Sequence, residues 1–357
     1  MPMSANSLNP YVDYVAPSNV TTNARVLLSV ILIVVAGLFA DLIVGTRGID
    51  VGSDTYVYAG FFQSLSGAGG YETRFEPGFV LVTRALSAAG FSIAGYQMML
   101  FGLLLLIAMA AARYFHQQYL GAHRGLLTFL VASLMLLLFS PMFVNASINA
   151  VRQGLAALLV FVALLAFQRR QWGTSFMYGL LATSFHYSSL MYLVFAPLLL
   201  VNIKLLRLVA VVAFIAYCTG LTMIVVRAAS PALYNTVMDY SEASKFKSGV
   251  RIDFAAFSIF WYVLPLLLAP MVRKPFNTGI KDSTAVYLVM LLPFFAVGWG
   301  NFSNRYLLPA YLAASLMVAA VFCHNRLSIL RNPIILRGGL IVSCAAFAYY
   351  VTNQVIV

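Results

Sequence analysis

Side chains able to do chemistry are scarce in this chain and gather in four short stretches. The first reads Arg47-Gly-Ile-Asp50-Val-Gly-Ser53-Asp54-Thr-Tyr56-Val-Tyr58, then a glycine-rich segment, then Arg74-Phe-Glu76-Pro77-Gly-Phe. A carboxylate that is charged at neutral pH can take a proton from a hydroxyl, so Glu76 and Asp54 are candidate bases. Arginine presents a planar fork that grips phosphate oxygens two at a time, which makes Arg74 a candidate anion ligand. The second stretch places Asn145, Asn149, Arg152 and Gln153 at i, i+4, i+7 and i+8, one face of a helix. The third is Thr183-Ser-Phe-His186-Tyr-Ser-Ser, and an imidazole suits proton transfer near neutrality. The fourth holds Asn301, Asn304, Arg305 and Tyr306, a second set of amides beside a guanidinium.

Each group also has a structural explanation. Asp54 and Glu76 can be helix N-caps, Glu76 being followed by a proline at the first helical position. Tyr58, Phe61, Phe62 and Leu65 would then form the apolar face of a helix lying in the membrane interface, where Tyr56, Tyr58 and Phe61 could stack on a flat ligand. Arg152 can snorkel to a membrane surface, and His186 can be a hydrogen-bonded packing residue. A mixed-charge segment with Asp239, Glu242, Lys245, Lys247 and Arg251 is either a solvated loop or a cover over a site, with Arg251 as a further anion ligand. Asp50 and Asp54 stand four apart but no third ligand accompanies them, so no metal and no cofactor is assigned.

The elements that must position these groups follow from composition. Of 357 residues, 62% are hydrophobic and 9% charged, against about 25% charged in soluble domains. Stretches 85–112, 125–151, 171–203, 208–226, 254–272, 283–304, 306–325 and 338–357 contain no Asp, Glu, Lys or Arg, and about 20 apolar residues span a bilayer as helix. Unpaired backbone in lipid is prohibitive and the alternating pattern of a barrel is missing, so the fold class is all-α and polytopic. Eleven spans are expected, at 26–45, 92–112, 125–143, 149–168, 173–186, 188–201, 206–226, 255–271, 284–300, 306–323 and 338–353. The run 171–203 is flanked by Arg169/Arg170 and Lys204/Arg207. Two short helices meeting near His186 keep both basic ends on one side; one long tilted helix is the alternative and would invert everything downstream.

With a cytoplasmic N-terminus, thirteen of the 22 lysines and arginines lie inside, which favours that orientation by the positive-inside rule. Seven acidic residues, Asp50, Asp54, Glu72, Glu76, Asp239, Glu242 and Asp253, then fall outside. The organisation expected is a tail over 1–25 and one membrane domain over 26–357, with interfacial helices in an outer loop at 46–91 and a second outer loop at 227–254. Met1 to Asn23 carries no basic residue, so a cleaved signal peptide is not expected. The net charge of +12 is scattered between apolar runs, so anionic membrane lipids rather than nucleic acid are the expected counterpart. Cys218, Cys323 and Cys344 fall inside spans without metal-ligand or redox spacing.

The order of these features resembles the EpsG family of bacterial polysaccharide polymerases, functionally akin to Wzy O-antigen polymerases. The resemblance rests on Gly-Ser-Asp54 with Tyr58, Glu76-Pro-Gly-Phe, Asn-Ala-Val-Arg152-Gln153, Phe185-His186 and Arg305-Tyr306, spread over residues 45–310. It implies a multi-span enzyme of the bacterial cytoplasmic (inner) membrane, with its active site facing the periplasm or exterior. Such an enzyme transfers a growing glycan from undecaprenyl pyrophosphate onto an incoming lipid-linked repeat unit. Its partners would be that donor and acceptor, and a chain-length-determinant protein is a further candidate. The residues carried over are Asp54, Tyr58, Glu76, Arg152, Gln153, His186, Arg305 and Tyr306, with Arg74, Asn149 and Arg251 added as substrate ligands from charge and position. Glu76, His186 and Asp54 are the candidate bases in that order. A lipid-linked oligosaccharide flippase or transporter, a glycan ligase and an O-acyltransferase share the membrane setting and are the alternatives.

Overall fold

The computed structural model describes residues 19–65, 73, 75–121, 125–239, 249–300 and 303–355. The chain runs through α1 (Asn19–Gly45), α2 (Thr55–Ser64), α3 (Pro77–Ala88), α4 (Ile93–Tyr119), α5 (Leu126–Leu138), α6 (Pro141–Ile148), α7 (Val151–Gln168) and α8 (Trp172–Phe185). It continues through α9 (Ser189–Leu193), α10 (Ile203–Cys218), α11 (Leu221–Ala229), α12 (Pro231–Asp239), α13 (Ile252–Leu268), α14 (Lys274–Val297), α15 (Leu308–His324) and α16 (Pro333–Thr352). Short 3-10 turns cover Ala196–Leu200, Ala269–Met271 and Ser303–Leu307. Helices α3, α6, α14, α15 and α16 each carry a proline in their first turn. There its missing N–H costs nothing, because the first four amides of a helix have no partner inside it.

The bundle is organised around α7. Every side chain from Leu155 to Ala166 is buried, against α4, α6, α8, α14 and α15. A helix apolar on all sides belongs in the interior. Helices α14 and α15 share that interior, with 83% and 78% of their apolar windows buried, while α1, α13 and α16 are only 17–28% buried and turn Leu, Ile, Val and Phe outward. In a bilayer those outward faces meet lipid.

Among the described residues seven helices are long and apolar enough to cross a membrane, or nine if each of two bent pairs forms one span. The eleven expected exceed this by the two segments on either side of His186. Among them α8 has 14 residues, roughly 21 Å at 1.5 Å per residue. The chain does break there: His186 is extended (φ −158°, ψ 120°), and a Cβ placed on Gly179 would touch Leu193 at 3.1 Å, so α9 folds back along α8.

Two further breaks depart from expectation. The segment 125–151 bends by 77° between α5 and α6, at Ser140-Pro141, and α7 begins only at Val151. Asn145 and Arg152 therefore stand on different helices rather than on one face. The expected span 206–226 bends by 88° at Thr219-Gly220, where Gly220 has φ +75°. As a result α11 and α12 occupy 221–239, and the first part of the expected loop 227–254 is helical. Helix α1 begins at Asn19, inside the expected tail. The helices α2 and α3 form within 46–91, where interfacial helices are expected, but the aromatic face of α2 is turned into the protein. Tyr58, Phe61 and Phe62 are buried, Phe62 stacking on Tyr96 at 4.4 Å and Phe61 meeting Phe75 edge-on at 5.1 Å.

The fold-back at His186 is testable by labelling from one side of the membrane. In a variant whose three native cysteines are replaced by alanine, Trp172→Cys and Asn202→Cys are expected to react with an impermeant maleimide from the same side. Tyr187→Cys should react from the opposite side; labelling of Trp172→Cys and Asn202→Cys from opposite sides would show one continuous span.

Candidate active site

Glu76 precedes Pro77 and occupies the N-cap of α3 with extended backbone, yet its carboxylate accepts no capping N–H. It turns toward two other helices. One oxygen, Oε2, accepts from the Arg152 guanidinium. The other, Oε1, lies 2.8 Å from His186 Nδ1 and accepts the Tyr187 backbone N–H at 3.3 Å. The approach of α3 to the end of α8 depends on Gly78. A Cβ there would stand 2.5 Å from Ser184 Oγ and 2.8 Å from the Ser184 carbonyl oxygen, so any side chain would push Glu76 away from His186.

Only 4% of the Glu76 side chain is exposed. Burial pushes its carboxyl pKa up, but the hydrogen bond from His186 and the charge of Arg152 outweigh burial and bring it down to about 2. The carboxylate is therefore ionised throughout the physiological range, and weak as a proton acceptor. A neutral imidazole that donates Nδ1–H to a carboxylate keeps its lone pair on Nε2, the geometry in which a carboxylate orients a histidine base.

Arg152 stands in the first turn of α7, and its guanidinium is held from below by rings, 4.7 Å from the Phe75 centroid and 5.8 Å from that of Tyr58. A cation on an aromatic face gains from the ring quadrupole while its edge N–H groups stay available. Tyr58 itself packs on Phe75 and Phe79 and is 5% exposed. The expectation that it offers its ring to a ligand is corrected: the ring is covered by Arg152, and Tyr56, 64% exposed, is the open one.

A second ion pair completes the site. Arg305, on the 3-10 turn ahead of α15, places Nη2 at 2.9 Å from Asp54 Oδ2. Asp54 likewise stands at an N-cap, of α2, without capping it. The segment that presents it is fastened to the end of α6. Gly52 has φ +90° and passes so close that a Cβ would lie 2.3 Å from the Ile148 carbonyl oxygen, and Thr55 Oγ1 donates to that same oxygen at 2.7 Å. Asn149 Oδ1 accepts from Ser53 Oγ at 2.6 Å and from the Asp54 N–H at 3.1 Å, and its Nδ2 donates to Asn145 Oδ1. Asn149 is thus buried, with its Oδ1 holding the Asp54 segment and its Nδ2 bonded to Asn145, which corrects its assignment as a ligand-contacting amide.

Gln153 joins the two pairs. Next to Arg152, it is 5% exposed and donates Nε2–H to the Arg305 backbone carbonyl at 2.5 Å. Tyr192 on α9 donates its hydroxyl to the Tyr306 carbonyl at 2.9 Å. Gln153 therefore fixes the turn that carries Arg305 rather than facing a ligand, and Tyr306 is held there through its backbone. Arg251 is not joined to either pair by any ion pair among the described residues. Its guanidinium bonds Asp253 at 2.6 and 3.0 Å, two residues along. Arg74, Asn301, Glu242, Lys245 and Lys247 lie outside the described residues. Among the described residues no three His, Cys, Asp or Glu side chains converge as metal ligands would.

Sequence reasoning missed a layer beneath the site. Arg47 donates to the Val44 carbonyl and, at 3.5 Å, to Thr55 Oγ1. Burial lowers its pKa to about 10, which leaves it charged at neutral pH. With Gln97, Tyr96 and Tyr58 it surrounds a small polar cavity of about 10 Å³, room for about one water. Periodicity could not have found it, because its members come from α2, α4, α6 and the turn after α1.

Glu76→Gln removes the charge that holds Arg152, and is expected to lower stability by about 3–5 kcal/mol, since one partner of a buried pair is left behind. Because the folded pKa of Glu76 is depressed from 4.5 to about 2, its stabilisation is complete above about pH 4.5 and is lost as pH falls toward 2. Thermal unfolding in detergent between those limits should fall for the wild type and flatten for Glu76→Gln. Gly78→Ala should leave the bundle folded but separate α3 from α8, abolishing the His186–Glu76 contact; unchanged His186 ring chemical shifts at neutral pH in that variant would refute the close packing of α3 on α8.

Comparison with known proteins follows the same outline. No curated protein and no solved structure matches the chain. The sequence profile of the EpsG family matches residues 30–356, which take in both ion pairs, His186 and every membrane-spanning helix but the first eleven residues of α1. A match over nearly the whole length, on a multi-pass all-α bundle, shows that the chain belongs to the EpsG family.

Proposed function

We propose that this polysaccharide polymerase joins undecaprenyl-pyrophosphate-linked oligosaccharide repeat units at the outer face of the bacterial cytoplasmic membrane. Membership of the EpsG family supports polysaccharide polymerisation in general. The observation that carries the finer reading is the convergence of Arg152, Glu76, His186, Arg305 and Asp54 from separate segments onto one end of the bundle.

In this reading His186 is the base. Glu76 orders first among the candidates by charge alone, but a carboxylate with a pKa near 2 and both oxygens engaged accepts a proton poorly. His186, oriented through Nδ1, takes the proton of the acceptor sugar hydroxyl on Nε2. The acceptor oxygen bonds to the anomeric carbon of the donor glycan, the anomeric C–O bond breaks, and its electron pair departs with undecaprenyl pyrophosphate. Arg305 and Arg152 stabilise the charge that gathers on the departing pyrophosphate, as preorganised donors do at a developing oxyanion. Asp54, the more exposed carboxylate, yields Arg305 to the incoming phosphate. The N-termini of α2, α3 and α7 meet at this end, so their dipoles add to the positive field.

Purified protein in lipid nanodiscs with a defined undecaprenyl-pyrophosphate repeat unit should produce a ladder on a gel. Arg152→Ala and Arg305→Ala should abolish it, and Arg305→Lys should retain a fraction, because a point charge replaces one prong of the fork. His186→Ala should slow it by about 10²–10⁴-fold, the usual worth of a general base. Starting material alone, with the same protein moving that lipid between leaflets of sealed vesicles, would make it a transporter.

A further inference from the structure

Apolar clefts open between the described helices, and they differ in the charged residues beside them. One, about 600 Å³ between α1, α3, α4 and α5, is lined by Asp41, whose Oδ1 is buried without a hydrogen-bond partner. A carboxylate there disfavours an anionic lipid. A second, about 370 Å³ between α8 and residues 190–196, reaches Thr183 at the end of the bundle where His186 is already bonded to Glu76.

The third cleft, about 390 Å³, lies between the α5–α6 break, α13, α15 and the end of α16. Its volume falls in the range of about 300–1,000 Å³ typical of ligand sites. On α15 it is lined by Tyr311, Ala314, Ser315 and Val318, a stripe at i, i+3, i+4 and i+7. That stripe begins six residues after Arg305, roughly 9 Å along a helix. On α13 it is lined by Phe254, Phe257 and Trp261. The Arg251 guanidinium sits 4.1 Å from the Phe254 centroid and closes the same end. Arg251 therefore stands at the edge of the cleft, Arg305 precedes its α15 wall by six residues, and rings line the cleft beyond them.

We propose that this cleft holds the isoprenoid tail of the lipid-linked donor, with Arg251 and Arg305 at its mouth facing the diphosphate. The inference rests on the polymerase reading above and adds to it the path by which the donor enters. A stiff, branched, unsaturated chain fits a crevice walled by aromatic rings better than a flexible saturated acyl chain does, because less conformational entropy is lost on binding. The charge at the mouth selects against lipids whose head carries no accessible anion. Arg251 is bonded to Asp253 in the resting protein, a side chain 60% exposed, so the pair opens toward water when a phosphate replaces the carboxylate.

The test uses the full chain in nanodiscs with undecaprenyl pyrophosphate bearing a diazirine in its tail. Labelled peptides should map to 136–142, 254–261 and 311–318, and excess phosphatidylglycerol should not compete. Ser315→Trp, which fills the cleft from a half-buried position, should reduce labelling and slow polymerisation of an undecaprenyl-linked repeat unit about tenfold, equivalent to about 1.4 kcal/mol. It should leave the rate with a geranyl-linked repeat unit unchanged, since so short a tail ends at the mouth. Labelling at the Asp41 cleft, labelling spread over all lipid-facing helices, or full competition by phosphatidylglycerol would overturn the proposal while a polymer ladder from the same sample keeps the polymerase reading. Selective labelling of the cleft with no polymer from either substrate would instead overturn the polymerase reading.

Discussion

A carboxylate as enclosed as that of Glu76 stays ionised only if cations reach it, and the arrangement of that whole end of the bundle follows from that requirement. Arg152 must come from the first turn of the most buried helix, His186 from a break in a segment that could otherwise have run straight, and Tyr187 must turn its backbone N–H inward. Removing any one leaves the others with an unbalanced charge or an unfilled acceptor. The Asp54–Arg305 pair obeys the same rule more loosely, with about a quarter of each side chain exposed, and depends on backbone anchors at Asn149, Ile148 and Gln153 rather than on enclosure. One pair is therefore fixed and the other adjustable, a division suited to a site in which one group orients a base and another receives a ligand.

Much of this was legible before any coordinates. Composition alone dictates a polytopic helical bundle, and the basic residues on both sides of 171–203 call for a fold-back at His186, which the structure contains. Glycine and proline next to Glu76 mark the start of α3. Pairing was not legible. Asp54 and Glu76 have the sequence signature of caps because N-cap positions favour acids for local reasons, whereas the competing partner for each lies 76 or 251 residues away. Nor does spacing reveal the break at Ser140-Pro141. It lies, with a second break after Ile148, inside a charge-free run, so Asn145 and Arg152 read as one helical face although α6 ends and α7 begins between them. The amide of Gln153 illustrates the same limit, since a backbone carbonyl as acceptor leaves no trace in residue types.

The lateral clefts show how a bundle so rich in leucine and phenylalanine differentiates its surface. Helices α1, α13 and α16 all present apolar outer faces, and hydropathy does not say what each face meets. A single ionisable residue per cleft does so: Asp41 in one, Arg251 at the edge of another. In a low-dielectric surround one charge dominates the potential over several ångströms, so sparse charges carry more information here than in a soluble protein.

The resting site is electrically self-contained, each arginine already matched by an acid of the same chain. Any anion that arrives must part a guanidinium from its built-in competitor before it gains anything. Every ligand's affinity is thereby discounted by the same internal exchange. Monoanionic headgroups, abundant at any bilayer surface, meet that discount with a single charge, while a diphosphate brings several oxygens to the same fork. In the proposed reaction the ion pairs therefore set a threshold that a diphosphate meets more readily than a monoanionic headgroup does.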